Sequence, residues 1–299
     1  MKPESNPEIR KQGMGGSDAG VVYGCNPWKT AFELWQEKTG RKLQANLDDK
    51  EAVQWGVHLE EPIAQEYARR TGNKVRNVNR TLKAKEYPFL QGHIDRKISG
   101  ENAGLEVKTA GFWSGTQWGD DIPAHYKMQV YHYLYVTGYD YFDVAALIGG
   151  QEMKIYRIER DEDEIKKLVQ AEVIFWQNHV LTDIPPEPAS PEESLLMYPV
   201  ADDEVQELQA DPMLSQLIAT GKDLQRKRDM AEEGFKLVKK DVMNHMKSAS
   251  VVVDMTGHKI ASWINGRRQG LDTKSLKQEQ PELWEKYPAV SEYRTFRLW

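Results

Sequence analysis

Residues 91–109 read QGHIDRKISGENAGLEVKT, and the way this stretch pairs with itself decides the fold. The residues SGENAG are a turn signal between two extended runs, PFLQGHIDRKI and AGLEVKTA, so a hairpin or meander is expected. In a strand, residues two apart face the same side. Glu106 and Lys108 therefore share one face, while Leu105 and Val107 enter the core on the other. Antiparallel pairing across the turn would bring Asp95 beside Glu106, placing two carboxylates and an ammonium in one small volume. Carboxylates that close repel each other, and a divalent cation relieves the repulsion; an all-oxygen set suits Mg²⁺. A lysine beside such a cation can orient a water, help to deprotonate it, or stabilise developing negative charge. The same spacing also suits a half-exposed hairpin, with the acids in solvent and Lys108 as a surface partner of little energetic weight. Residues outside the stretch have to decide.

Upstream, WGVHLEEPIAQEYARRTG belongs to a helical segment of roughly residues 49–71, which Pro62 either kinks or divides. Around that helix Glu60 stacks with Gly56, Val57, Ile63, Ala64 and Tyr67, in the apolar stripe, whereas Glu61 falls on a wetter face with His58, Gln65 and Ala68. A carboxylate on a buried stripe is costly unless it is paired or metal-bound; otherwise its stem packs and its head reaches water. Before it come two shorter helices. In GGSDAGVVYG, Ser17 or Asp18 is the expected cap and Gly24 the stop; TAFELWQEKTG begins at Thr30 and ends at Gly40.

Downstream, Pro123 opens the helix PAHYKMQVYHYLYVTG, which closes at Gly138. Tyr126, Val130, Tyr133 and Leu134 mark its buried side and Gln129 sits at the edge. An amide there can bond the carboxylates or a substrate backbone, or be a plain boundary residue. Two strands, YFDVAALIGG and EMKIYRIER, and a helix over about 161–180 complete this half.

The 299 residues carry a net charge of −6 and a single cysteine, Cys25. The charge does not advertise a nucleic-acid binder, although a local basic groove fits inside an acidic total. One cysteine excludes a disulfide framework and a four-thiolate metal centre. With no apolar leader in MKPESNPEIRKQG and no long apolar run, a cytoplasmic protein with no membrane partner is expected. The proline-dense IPPEPASPEES is the best boundary. It divides the chain into 1–184, a Pro-rich linker over 185–202, and 203–299, the last holding a long charged helix, a hairpin with its turn at Thr256-Gly257, and an aromatic, basic tail. There Arg267, Arg268, Arg294 and Arg297 interleave with Trp263, Tyr293, Phe296 and Trp299, a pattern that suits phosphate contact and base stacking, or equally oligomer packing.

Taken in order, the GGSDA start, WGVHLEEP, FLQGHIDR, GLEVKT and YKMQVYHYLYVTG resemble the YqaJ-type viral recombinases, relatives of phage lambda exonuclease within the PD-(D/E)XK nuclease superfamily. The resemblance covers about residues 10–160. It implies an α/β (α+β) fold, a restriction-endonuclease-like PD-(D/E)XK core with a mixed central sheet flanked by helices, plus a C-terminal helical and hairpin extension. By that resemblance Asp95 and Glu106 are the metal-binding acids, Lys108 the lysine that assists the attacking water, Glu60 the helical glutamate completing the metal site, and the Val107 carbonyl a further ligand. Gln129 matches the glutamine of the helix motif, and Ser17, with Arg10, the element near the phosphate at a DNA end. The cofactor implied is Mg²⁺, one or two ions, with Mn²⁺ as a substitute. The activity implied is 5′ to 3′ digestion of linear duplex DNA that leaves 3′ single strands for an annealing partner protein, by a homo-oligomeric ring of phage or prophage origin in a bacterial host. An endonuclease that needs no DNA end, and a catalytically silent DNA-binding module, are the alternatives. Two positions depart from the family: His93-Ile94 stands where relatives carry a proline before the aspartate, and Tyr131 replaces the second glutamine of the helix motif.

Overall fold

The computed structural model describes residues 11–43, 50–112, 114–200, 208–267, 270, 272–287 and 296. It divides into two units, Met1–Ser194 and Leu195–Trp299.

In the first unit α1 is Gly16–Val22, α2 Ala31–Lys38 and α3 Glu51–Thr71. Thr30 caps α2 through a reciprocal pair with Glu33: the Glu33 N–H donates to Thr30 Oγ1 at 3.1 Å, and the Thr30 N–H to Glu33 Oε2 at 3.3 Å. Of the two caps expected for α1, Ser17 and Asp18, it is Asp18 that makes the capping bond, from the third helical position rather than from the N-cap. Gly15 is the N-cap of α1, and Asp18 reaches back to accept from its N–H at 3.0 Å. Just upstream the chain runs so close to residues 89–91 that a Cβ on Gly13 would collide with the Phe89 carbonyl oxygen. Helix α3 is one piece with Pro62 inside it, and it ends at Gly72 in the left-handed region, φ 77°.

Then follow β1 (Val75–Asn77), β2 (Leu82–Lys83), β3 (Gln91–Gly92), β4 (Arg96–Ile98) and β5 (Ala103–Ala110). Next come α4 (Ala124–Thr137), β6 (Tyr141–Ile148), β7 (Glu152–Glu159) and α5 (Glu162–Phe175). Five of the strands make one mixed sheet in the order β1-β4-β5-β6-β7. β5 pairs antiparallel with β4, Arg96 opposite Leu105 and Ile98 opposite Ala103, and parallel with β6, Glu106 opposite Val144. The parallel step requires a crossover, and α4 supplies it.

Leu105 and Val107 pack with Ile98, Ala103, Ala145 and the α3 residues Ile63, Ala64 and Tyr67. The other face of β5 is covered too, because α4 lies over it, so Glu106 on that face is as buried as the core. The alternation in β5 therefore sorts residues between two helical layers. Helix α4 is buried nearly all round, from Met128 through Leu134. Gln129, expected at a helix edge, is inside.

The region expected as a linker holds a short helix, α6 (Pro191–Met197), whose Glu193 accepts from the Ala189 N–H at 2.7 Å. In the second unit Asp211 caps α7 (Pro212–Met246), with the Leu214 N–H donating to Oδ1 at 2.7 Å. The hairpin β8 (Val251–Val253) and β9 (Lys259–Ser262) turns at Gly257, φ 88°. Two short helices, α8 (Thr273–Glu279) and α9 (Pro281–Lys286), follow. Arg268, Tyr293, Arg294, Arg297 and Trp299 lie outside the described residues. Among the described residues, no helix is long and apolar enough to cross a membrane.

Candidate active site

The β4–β5 register ends at Arg96 and Leu105, which leaves Asp95 across from Glu106 and Val107 just beyond the ladder. There the Asp95 side chain takes over from the strand: Oδ2 accepts the Val107 N–H at 2.9 Å. In a strand the N–H and C=O of one residue leave from the same edge. The Val107 carbonyl therefore faces the edge where Asp95 stands.

Lys108 Nζ donates to Glu106 Oε1 at 2.7 Å, and Gln129 Nε2 donates to the same oxygen at 3.0 Å. The second N–H of Gln129 goes to Tyr133 Oη, also at 3.0 Å. Lys108 sits over the Tyr126 ring, 4.8 Å from its centroid. Burial works against the charge of Lys108, but Glu106 and Asp95 outweigh it and hold the ammonium above its ordinary range. His125 is moved the other way: burial and the nearby Lys108 charge lower it.

Glu60 is on the protected side of α3, 13% exposed, while its neighbour Glu61 is 57% exposed. Arg96 holds both, donating to Glu60 Oε1 at 2.6 Å and to Glu61 Oε2 at 2.8 Å, and Nη1 also reaches the Asp95 carbonyl at 2.7 Å. Asp95, Glu106, Lys108 and Gln129 are thus brought together, and Glu60 is linked to them through Arg96. Among the described residues no three His, Cys, Asp or Glu side chains are gathered closely enough to hold a metal ion.

Ser17 is exposed on the first turn of α1, beside a very close packing contact. A Cβ on the adjacent Gly16 would come within 2.5 Å of the Tyr133 ring and 3.1 Å of Gln129 Cγ. The start of α1 therefore abuts the stretch of α4 that carries Gln129. Arg10 lies outside the described residues.

Three side chains have no role in the site from the sequence: Arg96, and Tyr126 and Tyr133, which are read there only as part of the buried side of their helix. Arg96 had the clearest signal, a cation directly after Asp95 in a segment whose helical neighbours are the acids Glu60 and Glu61. Nothing local marks the two tyrosines, because their roles depend on which strand α4 covers.

Known proteins share this arrangement of sheet and helices. LHK-Exo in complex with dAMP superposes with a TM-score of 0.50 at 17% identity, covering 66% of this chain and 97% of that one. An alkaline exonuclease (LHK-Exo) from Laribacter hongkongensis gives 0.49 at 18% identity over 59% of this chain and 92% of that one. Identities this low speak to the fold alone, and that fold is PD-(D/E)XK-like. Sequence similarity goes further. The "Uncharacterized protein YqaJ" of Bacillus subtilis (strain 168) is 34% identical over 299 residues, 97% of this chain and 92% of that protein. The description "YqaJ-like viral recombinase domain" matches residues 7–140, a span that contains the hairpin of Asp95 and Glu106, Lys108, and Gln129 on α4. The chain belongs to the YqaJ-like viral recombinase family.

Proposed function

We propose that this protein is an Mg²⁺-dependent exonuclease that digests linear double-stranded DNA from 5′ to 3′, leaving 3′ single strands for a strand-annealing partner. The observation that carries the reading is the convergence of Lys108 and Gln129 on one oxygen of Glu106, with Asp95 across the hairpin. A surface hairpin would leave these groups in water; here Glu106 is 3% exposed.

The Asp95 and Glu106 carboxylates and the Val107 carbonyl form an all-oxygen set of the kind a hard cation takes, and Glu60, paired with Arg96, would have to leave that ion pair to join them as the third acid. Mn²⁺ fits the same set. An ion held by these oxygens would supply a water of lowered pKa and positive charge for the leaving oxygen. The remaining work falls to the chain. Lys108 brings a positive charge to the phosphate, and Glu106 and Tyr126 aim it. Gln129 fixes the plane of the Glu106 carboxylate by giving one N–H to it and the other to Tyr133. Arg96 keeps Glu60 and Asp95 in one register. Ser17, and Arg10 with it, would meet the phosphate at the DNA end.

We further assign residues 1–184 to the nuclease domain and 203–299 to an extension, and we expect a homo-oligomeric ring acting in the cytoplasm. The test is a linear duplex labelled at the 5′ end of one strand in one sample and at its 3′ end in another. Early release of the 5′ label as mononucleotide, with the 3′ label retained, is the expected result; the reverse order overturns the polarity.

A further inference from the structure

His132 and Glu172 are both fully buried, at 0% exposure, and take no part in the chemistry above. His132 Nδ1 lies 2.7 Å from Glu172 Oε1, and Nε2 lies 2.8 Å from the Gln91 carbonyl oxygen. The Gln91 carbonyl can only accept, so Nε2 carries hydrogen; opposite an ionised Glu172, Nδ1 carries one as well and the ring is an imidazolium. Burial opposes that charge, but Glu172, the Gln91 carbonyl and Asp18 outweigh it. Every neighbouring element contributes a group. Glu172 comes from α5, the carbonyl from β3, and Asp18 from α1, where Lys38 of α2 holds it at 2.6 Å. On α4 itself, the Tyr135 hydroxyl also feels Glu172.

The position of the pair gives it a use. Gln91 is four residues before Asp95, and His132 is one helical turn after Gln129. The bond from Nε2 to the Gln91 carbonyl therefore joins the segment that delivers Asp95 to the helix that delivers Gln129. We infer that His132 is a positioning residue: held charged by Glu172, it braces the Gln91–Asp95 segment against α4 and keeps Gln129 on Glu106.

This inference rests on the nuclease reading above, and its test has an arm that does not. Glu172→Gln keeps the shape of the pair and removes the countercharge, so the ring becomes neutral and its Nε2–H bond to the Gln91 carbonyl loses its charge assistance and weakens. In hydrogen exchange, the expected result is faster exchange in residues 91–95 and 124–137 together. In steady-state cleavage the expected loss is on the order of 10- to 100-fold in kcat, the scale of a small misplacement, with KM within about threefold. The alkaline limb of the kcat profile moves to lower pH, since the imidazolium without its countercharge deprotonates earlier. His132→Gln, which reaches only one of the two acceptors, is read in the same way where Glu172→Gln does not fold. Exchange that stays unchanged in either segment overturns the brace, whether or not the protein cuts DNA. Altered exchange with an unaltered kcat overturns its role in positioning. A wild type that cuts no linear duplex sinks the nuclease reading alone, and the exchange result still decides whether His132 joins the two segments.

Discussion

Lys108 Nζ and Glu106 Oε1 are 2.7 Å apart, on the same face of a central strand, with neither side chain more than 17% exposed. Taking two opposite charges out of water is costly unless the geometry is good and further bonds complete it. Here Gln129, Tyr126 and Asp95 complete it. A fold gains little stability from such an arrangement, which makes chemistry the better explanation of it.

Asp95→Asn should separate metal binding from folding. Asparagine keeps an oxygen to accept the Val107 N–H, now bonded at 2.9 Å, and loses the charge. The expected result is an unchanged melting temperature with Mn²⁺ affinity weakened by at least about tenfold, about 1.4 kcal/mol, by calorimetry or electron paramagnetic resonance. Wild-type affinity in the variant would remove Asp95 from the ligand set.

Arg96 is the clamp between α3 and the Asp95 carbonyl, and its removal should be felt through Glu60. In Arg96→Met the 13%-exposed Glu60 carboxylate keeps its charge without its cation, a loss of about 3 kcal/mol in urea unfolding. Glu61, 57% exposed, should contribute little. Adding Glu60→Gln to Arg96→Met should recover part of the loss, and strict additivity in that cycle would mean that the two residues are not coupled.

Gly16→Ala places a methyl 2.5 Å from the Tyr133 ring and 3.1 Å from Gln129 Cγ. Helix α1 has to move off α4, at a cost of roughly 1–3 kcal/mol in stability, and Gln129 shifts with it. Thermal melting and cleavage rate should fall together. A fully active Gly16→Ala protein would show that the fit of α1 against Gln129 is not needed.

The acid limb of stability should belong in part to Asp18. Burial raises its carboxyl and Lys38, at 2.6 Å, lowers it; the cation wins, and the folded value lies below the ordinary 3.8. A depressed carboxyl stabilises the fold above its unfolded value and loses that contribution as pH falls through the folded one. Urea titrations between about pH 2 and 6 should therefore show a shallower acid decline in Asp18→Asn than in wild type. His132 works with the opposite sign: its raised value stabilises the fold below 6.5 and is lost as pH rises through the folded value.

Much of the site was legible because its logic is local. Leu105 and Val107 go to one layer and Glu106 and Lys108 to the other, as a period of two requires, and the turn after Ile98 sets Asp95 across from Glu106. The helical spacing that put Glu60 rather than Glu61 on the protected face has the same local origin. The unread parts are long-range. Arg96 joins residues 35 and 36 positions away, and His132 meets a glutamate 40 positions on. No periodicity encodes such pairs. Gln129 was placed at an edge because its helix was read as having one buried side, whereas α4 is covered almost all round. The close approach of Gly13 to residues 89–91 is likewise invisible in the local pattern.

The central claim is a metal-dependent exonuclease centred on Lys108, and one comparison tests it directly. The same plasmid, once covalently closed and once linearised, is incubated with wild type or Lys108→Ala, in Mg²⁺ or in EDTA. Wild type with Mg²⁺ should consume only the linear form, and EDTA should abolish cleavage. Lys108→Ala should slow cleavage by about 10²- to 10³-fold. Cleavage of the closed circle, or an undiminished rate without Lys108 or without metal, would contradict it.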